Sequence, residues 1–429
     1  MSAAVESPAA ANPRPLTIVI VGAGIGGLTA AIGLRRNGHR VLLLEKSELA
    51  RDSGAAFHLC PNANGILRQM GIHAETFGEC LMSRFVERAQ DGQVIKDVDL
   101  TESNKRWPHP WQLVHRAQIY QELKRVALSQ EEVGPPVELV TKCHVIDVNP
   151  RLGTVTALDG TEYRADVIIG ADGIYSTARK SIGDVHLFSS GKAAFRFVMP
   201  REAAELDPIT APLVNRNDTF TMWFGNDRRV VMYPCNNNRW LNLVCIHPDV
   251  ESHALPADEW HKEATLEQLL WVYRDFDPQL QALLKKAHTL PIQVWQLLDM
   301  EKLPTWVSGK MALLGDAAHP LLPHQAQGAA QAIEDAAALS VVLPSGTPPE
   351  EVHDRLKLYE SIRYGRAHTI QEYSRLAGQD WVDGKPVVDM REFEEYNFDP
   401  DEVANSKAAL AAWELERRPA PAGGIFPGP

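Results

Sequence analysis

The stretch that most restricts the fold of this chain is LTIVIVGAGIGG, residues 16–27. Leu16 to Val21 is an apolar, mostly β-branched run interrupted only by the polar Thr17, the pattern of a strand buried on both faces of a parallel sheet. It feeds without a spacer into Gly22-Ala23-Gly24-Ile25-Gly26-Gly27, a GxGxxG turn, and then into a helix predicted over Leu28–Asn37. Gly22 allows the tight turn, Gly24 lets a pyrophosphate approach the backbone, and Gly27 lets the helix pack closely on the strand. The first N–H groups of that helix have no partner within it and face the phosphates. A second strand, Val41–Leu44, ends at Glu45, where the dinucleotide-binding pattern puts an acid on a ribose hydroxyl; Lys46 beside it joins the expected cofactor contacts. An acid at this point favours an unphosphorylated ribose, which both FAD and NAD carry.

Composition narrows the class. A chain of 429 residues with 45% hydrophobic side chains is long enough for two interleaved lobes. Its formal charge of −12 argues against a nucleic-acid partner, which needs concentrated Lys and Arg. Five scattered cysteines without CxxC spacing suit reduced thiols, so neither a disulfide nor a structural zinc is expected. Residues 1–14 have no signal-like apolar core, and no run of eighteen apolar residues occurs. These features predict a cytoplasmic protein, monomer or homodimer, that works on small molecules away from membranes.

Two more segments bear on the cofactor. Asp166–Gly170 reads as a buried strand running into Ala171-Asp172-Gly173-Ile174-Tyr175-Ser176-Thr177-Ala178-Arg179, which taken alone is a turn and a helix capped by Ser176. Lys310–Leu314 runs into GDAAHP, then LLPHQAQG, then an Ala-rich helix over Ala329–Val342. Asp316 at a strand end can accept hydrogen bonds from a polyol, and helix N–H groups near Gly328 suit an electron-rich ring edge. Both suit a flavin, whose N1/C2=O edge becomes negative on reduction.

GAGIGG with Glu45, GADGIYSTAR and GDAAHPLLPHQAQGAAQAIEDA, in this order, make the chain resemble the group A flavoprotein monooxygenases of the para-hydroxybenzoate hydroxylase type, within them the salicylate hydroxylase-like branch. The resemblance spans about Leu16 to Arg366. It implies an α/β fold in which a Rossmann-like FAD-binding lobe (15–180 and 291–345) is interleaved with a smaller mixed β-sheet substrate lobe (181–290). C-terminal helices would follow over 346–429, with a flexible tail over 1–14 and a disordered end. FAD would lie along Gly22, Gly24, Gly27, Glu45 and Lys46, with Ala56, Arg116, Asp316, Gly328 and Ala329 on its ribityl and ring side. Asp172 and Gly173 match a motif associated with both FAD and the nicotinamide cofactor. NADH or NADPH would reduce the flavin, O2 would give a C4a-hydroperoxide, and oxygen would pass to an aromatic ring. Such an enzyme fits aromatic catabolism or secondary metabolism.

The protein's part in that chemistry is to exclude water and to activate the substrate. His58, in the alternating segment AAFHL, is expected to point at the ring as base or ligand. Tyr233 matches a family tyrosine of the active site. Arg229 stands where relatives carry His and is a candidate carboxylate ligand, a departure that sets this chain apart from plain salicylate hydroxylation. With His58 it motivates a phenolic or heteroaromatic acid as substrate, hydroxylated at the carboxyl-bearing carbon with release of CO2. Pro320, Pro323 and His324 are expected to line the cavity, and Phe195, Phe197, Trp223 and Phe224 either form an aromatic wall or pack in the core. No set of ligands completes a metal site around His319 and His324. Another FAD-dependent oxidoreductase or a halogenase can share the glycine fingerprint, but a halogenase would carry WxWxIP, which Trp107 to Trp111 does not match. A regulatory protein that kept only the cofactor fold is the non-enzymatic alternative, and the intact glycines and Asp316 weigh against it. The residues beyond about Arg366 are expected on the outer surface, with no chemistry.

Overall fold

Thr17–Val21 is a central strand of a six-stranded sheet, flanked in parallel by Val167–Gly170 and Arg40–Leu44. Ile18, Val19 and Ile20 are fully buried, which is why the strand is apolar from Ile18 onward. Glu138–Val140 extends the sheet beyond Arg40–Leu44, and Met311–Leu313 followed by antiparallel Val307–Ser308 extends it on the other side. The computed structural model describes residues 14–48, 55–252, 262–380 and 388–417. The expected N-terminal tail, Arg14 excepted, and the expected disordered end from Arg418 lie outside them.

The helix after the glycine turn covers Ile25–Arg36, three residues earlier than its predicted start at Leu28. Glycine lowers helix propensity, but the tertiary fit here demands it. A β carbon on Gly27 would lie 2.1 Å from the Gly22 carbonyl oxygen, and one on Gly26 2.5 Å from Leu314 Cδ2. Gly22 itself has φ +103°, and a β carbon there would meet the Ala171 oxygen at 2.4 Å. Two elements and a neighbouring loop therefore converge at backbone distance around the turn.

A second sheet of eight strands runs Lys262–Ala264, Ile292–Met300, Leu187–Pro200, Trp240–Pro248, Arg229–Cys235, Thr219–Phe224, Arg84–Ala89 and Val94–Asp99. Three of its strands lie outside the 181–290 span anticipated for the substrate lobe. The hairpin over 84–99 joins by parallel pairing with Thr219–Phe224, and Ile292–Met300 pairs with Leu187–Pro200. Strand pairing is non-local, so boundaries drawn along the chain miss it.

Alternation separates the two faces of this sheet. Phe195, Phe197, Trp223, Val230, Met232 and Leu243 turn to a core shared with the helices Leu266–Val272 and Pro278–Lys285. The opposite face, with Arg196, Phe220, Met222, Val231, Tyr233 and Val244, looks onto the cavity beside the glycine turn. Phe195, Phe197 and Trp223 therefore form core rather than an aromatic wall, because a shift of one residue moves a side chain to the other face.

The C-terminal helices Val352–Ala377 and Glu402–Glu416 are tied to the first sheet by a fully buried charge cluster. Arg363 meets Asp335 at 2.9 Å, Glu334 at 2.7 Å and Glu402 at 2.8 Å. Asp335 in turn accepts hydrogen bonds from the Gly315 backbone at 2.9 Å and from His319 Nε2 at 2.7 Å. Burial pushes the Asp335 carboxyl up, but His319 and Arg363 outweigh it and hold it down to about 2. Removing Arg363 takes the shared cation from three buried acids and, among the described residues, leaves Glu334 only Arg366 as a cation and Asp335 only His319 and the Gly315 N–H, so Arg363→Met should cost about 3–5 kcal/mol by denaturant unfolding. Asp335's folded pKa lies below its unfolded one. Its contribution to stability is therefore complete above pH ~4 and is lost as pH falls toward ~2, which an acid titration of stability will read.

Candidate active site

Between the two sheets lies a cavity of about 470 Å³, inside the range of small-molecule sites. One end is backbone. Gly24, Gly26 and Gly27 line it, and no described atom lies within 4 Å of where a β carbon on Gly24 would sit. Gly328 and Ala329, the first residues of the helix Gly328–Val342, present that helix's N-terminal end to the same space. Asp316 projects into the cavity, and its carboxylate accepts no hydrogen bond from any described residue. Its depth in the molecule raises its pKa, against the pull of His319, Arg116 and Arg179.

The other end is aromatic and apolar. Phe85, Phe220, Met222, Val231, Tyr233, Val244 and Ile246 rise from the eight-stranded sheet, His58 from a small three-stranded one, and Trp111 from just before that sheet's strand Gln112–His115. His58 lies on Ala56–Leu59, a strand attached to the large sheet by side chains. The Tyr233 hydroxyl donates to the Ala56 carbonyl at 2.9 Å, and Asn242 Oδ1 accepts from the Ala56 N–H at 3.0 Å. Ala56 thus reaches the cavity with both backbone groups already satisfied.

His58 is packed edge-on against Phe220 and Tyr233, with ring centroids at 5.3 and 4.7 Å. Burial pulls its pKa down to about 3, so the ring is neutral at physiological pH. The Trp111 indole nitrogen lies 3.2 Å from His58 Nδ1. An indole N–H can only donate, so Nδ1 carries the lone pair and the proton sits on Nε2. Among the described residues nothing accepts from Nε2. His58 therefore offers the cavity a hydrogen-bond donor, whereas the sequence allowed a base there.

A profile of the FAD binding domain family matches residues 16–374. The chain belongs to this family of FAD-dependent monooxygenases. It is 35% identical over 369 residues to hispidin-3-hydroxylase of Neonothopanus nambi, covering 83% of this chain and 86% of that protein. Identity to the FAD-dependent monooxygenase cfoG of Aspergillus candidus is 33% over 395 residues, covering 88% of each. A salicylate hydroxylase in a substrate complex superposes with a TM-score of 0.74 at 25% identity, covering 92% of this chain and 98% of that one. Fold class, FAD as cofactor and NAD(P)H as reductant follow from membership. Among the described residues no helix is long and apolar enough to cross a membrane.

In this monooxygenase, Gly24, Gly27, Ala56, His58, Arg116, Gly173, Arg229, Tyr233, Asp316, Gly328 and Ala329 all line the one cavity. Other candidates stand apart. Glu45 accepts from the Ala23 and Ser47 N–H groups, both at 2.9 Å, and Lys46 is exposed beyond it. The Asp172 carboxylate caps its own turn, accepting from the N–H groups of Thr177 at 2.7 Å and Ala178 at 3.0 Å and from the Ser176 hydroxyl. That is the capped turn the sequence allowed, with Asp172 as a cap beside Ser176, whose Oγ accepts from the Arg179 N–H at 2.9 Å.

Arg229 requires a correction. It reaches the cavity wall, but its guanidinium donates to the carbonyls of Ala377, Gly378 and Gln379 at 3.0, 3.2 and 3.3 Å. It closes the C-terminal end of the Val352–Ala377 helix, whose last carbonyls have no helical partner. A second correction concerns the C-terminal segment, expected on the outer surface. Asp389, Glu394, Asn397 and Phe398 help to line the cavity, and Phe398 stacks edge-on to Trp111 at 4.9 Å. Pro323 and His324 line the wall, whereas the Pro320 carbonyl is engaged by Gln371 at 2.9 Å.

Sequence reading gave no site role to Arg196 or Trp111. The available signal for Arg196 was one charged residue inside the strand AAFRFVM, among apolar neighbours. Nitrogen-15 NMR of the holoenzyme should show His58 protonated on Nε2 alone, with no titration near neutral pH. Trp111→Phe should mix the two tautomers and lower kcat/KM by about three- to tenfold while FAD stays bound.

Proposed function

We propose that this enzyme hydroxylates an aromatic ring held against the front face of the eight-stranded sheet, with FAD along the glycine turn and Asp316. The observation that carries the reading is one cavity with two chemistries. A glycine-lined, helix-capped end gives way to an end walled by Phe85, Trp111, Phe220 and Tyr233. Aromatic faces and edges favour an aromatic guest. The relatives named for hispidin and salicylate support the same class of substrate.

The residues present fit the cofactor. Gly24 leaves room at the backbone, Asp316 has an unused carboxylate for a polyol, and the Gly328 helix end suits a ring edge that turns negative. FAD, when bound, takes hydride from NAD(P)H and activates O2 for transfer to the ring.

The remaining work falls to the protein. His58 Nε2–H donates to an oxygen of the substrate and orients the ring. The Tyr233 proton is committed to Ala56, so its oxygen is left as an acceptor, and burial pushes its pKa up. Leu321, Leu322 and Phe398 shield the cavity from water, which would otherwise divert the activated oxygen.

The test is NAD(P)H consumption by the holoenzyme with a panel of phenols and phenolic acids, with product mass read in parallel. Stimulated consumption with a product one oxygen heavier is expected. Consumption that no aromatic compound stimulates, or that yields only H2O2 with the whole panel, would sink the proposal. Asp316→Ala should weaken FAD binding to the apoprotein by about tenfold, read by flavin fluorescence.

A further inference from the structure

Arg196 is an unclaimed cation on the wall of this cavity. It lies on Leu187–Pro200, and strand register sets it in one row with Val244, Val231 and Met222 across the front face of the sheet. Its neighbours on that side of the row are apolar, and on the other side it is paired with the uncharged Gln293. Its guanidinium stacks on Trp295 at 4.5 Å from the ring centroid, and its Nε is sealed from solvent without a partner. Among the described residues none accepts a hydrogen bond from it and none forms an ion pair with it.

The other charged groups around the cavity are differently placed. Arg229 is occupied by three carbonyls. Glu394 is paired with Arg106 at 2.9 Å and Asp389 with Lys96 at 3.4 Å. The groups that act on the charge of Arg196 are the neutral Tyr233 phenol and the like-charged Arg116. Burial pulls the Arg196 guanidinium down to about 10, which leaves it cationic at neutral pH.

A half-buried cation on an apolar wall, its Nε sealed and without a counter-ion, is costly unless an anion arrives to meet it. The Trp295 stack satisfies only the face of the guanidinium. Its N–H donors point outward in the plane, a fork shaped for two oxygens or one anionic oxygen. We infer that Arg196 is the specificity residue of the site, and that the aromatic substrate presents to it an anionic oxygen, either a carboxylate or an ionised phenol. The inference rests on the reading of this cavity as the ring site, and it transfers the anion recognition expected of Arg229 to a residue whose donors are free.

The test uses matched ligands on the oxidised, FAD-loaded enzyme, with binding read from the flavin absorbance. One pair is 3-hydroxybenzoate and 3-hydroxybenzamide. The other is 4-nitrophenol, above its own ionisation, and 4-nitroanisole. The wild type should prefer the anion of at least one pair by about tenfold or more. The pair that responds identifies the anion as carboxylate or phenolate. Arg196→Met should abolish the preference while keeping FAD and the affinity for the neutral member, and Arg196→Lys should keep part of it, since charge remains but the fork is lost. Should the Met variant fail to hold FAD, Arg196→Gln takes its place.

Equal binding within both pairs by the wild type, no binding of any of the four ligands, or a preference that survives Arg196→Met overturns the inference. The two readings fail separately. Turnover of neutral phenols with no preference for charge would keep hydroxylation and remove the anion site. Anion binding through Arg196 without aromatic-stimulated NAD(P)H oxidation would do the reverse.

Discussion

The site depends on an absence of side chains at the glycine turn. A β carbon on Gly22, Gly26 or Gly27 would come within 2.1–2.5 Å of the Ala171 oxygen, Leu314 Cδ2 or the Gly22 oxygen respectively. The three segments that meet there are the helix Ile25–Arg36, the loop after Val167–Gly170 and the strand end at Leu314. At Gly22 and Gly27 the contact would be with backbone, which no rotamer change relieves, and at Gly26 it would be with the Leu314 side chain. Through Leu314 and the adjoining Gly315 and Asp316, that packing fixes one end of the cavity.

The opposite end is governed by desolvation. His58 is neutral because nothing charged pairs with it in its apolar setting, and Trp111 then decides which nitrogen holds the proton. Tyr233 is likewise kept protonated by burial and is tied down at Ala56. Such a pocket holds its polar groups in single, predetermined roles, an advantage where water must be kept from a reactive oxygen. Arg196 is the exception, a full charge in the same apolar face with its donors unassigned.

The C-terminal segment joins these two ends. Arg363 and Glu402 bring its helices onto Asp335, which grips Gly315 and His319 next to Asp316. Arg229 holds the end of the Val352–Ala377 helix, and Phe398 lies over Trp111. A segment without a recognisable motif therefore closes the cavity and steadies the loop that carries Asp316.

Some of this could be read directly from the order of residues. Strand, glycine turn, helix and Glu45 are contiguous, and their meaning lies in local backbone geometry, so the nucleotide fold was legible, whereas the flavin and the cavity positions of His58, Tyr233 and Asp316 were read from the two later motifs and the family resemblance. The roles of Arg229, Asp172 and the C-terminal helices were not. Whether an arginine meets a ligand or three carbonyls is decided by what the fold brings within about 3 Å of it, and Ala377 lies 148 residues away along the chain. The state of His58 depends in the same way on Trp111, 53 residues on. The sequence by itself determined the fold class, because that follows from backbone pattern, and the cofactor, because three ordered motifs carry the family resemblance. Tertiary structure alone decided which polar groups remain free to act, because that depends on partners only folding supplies.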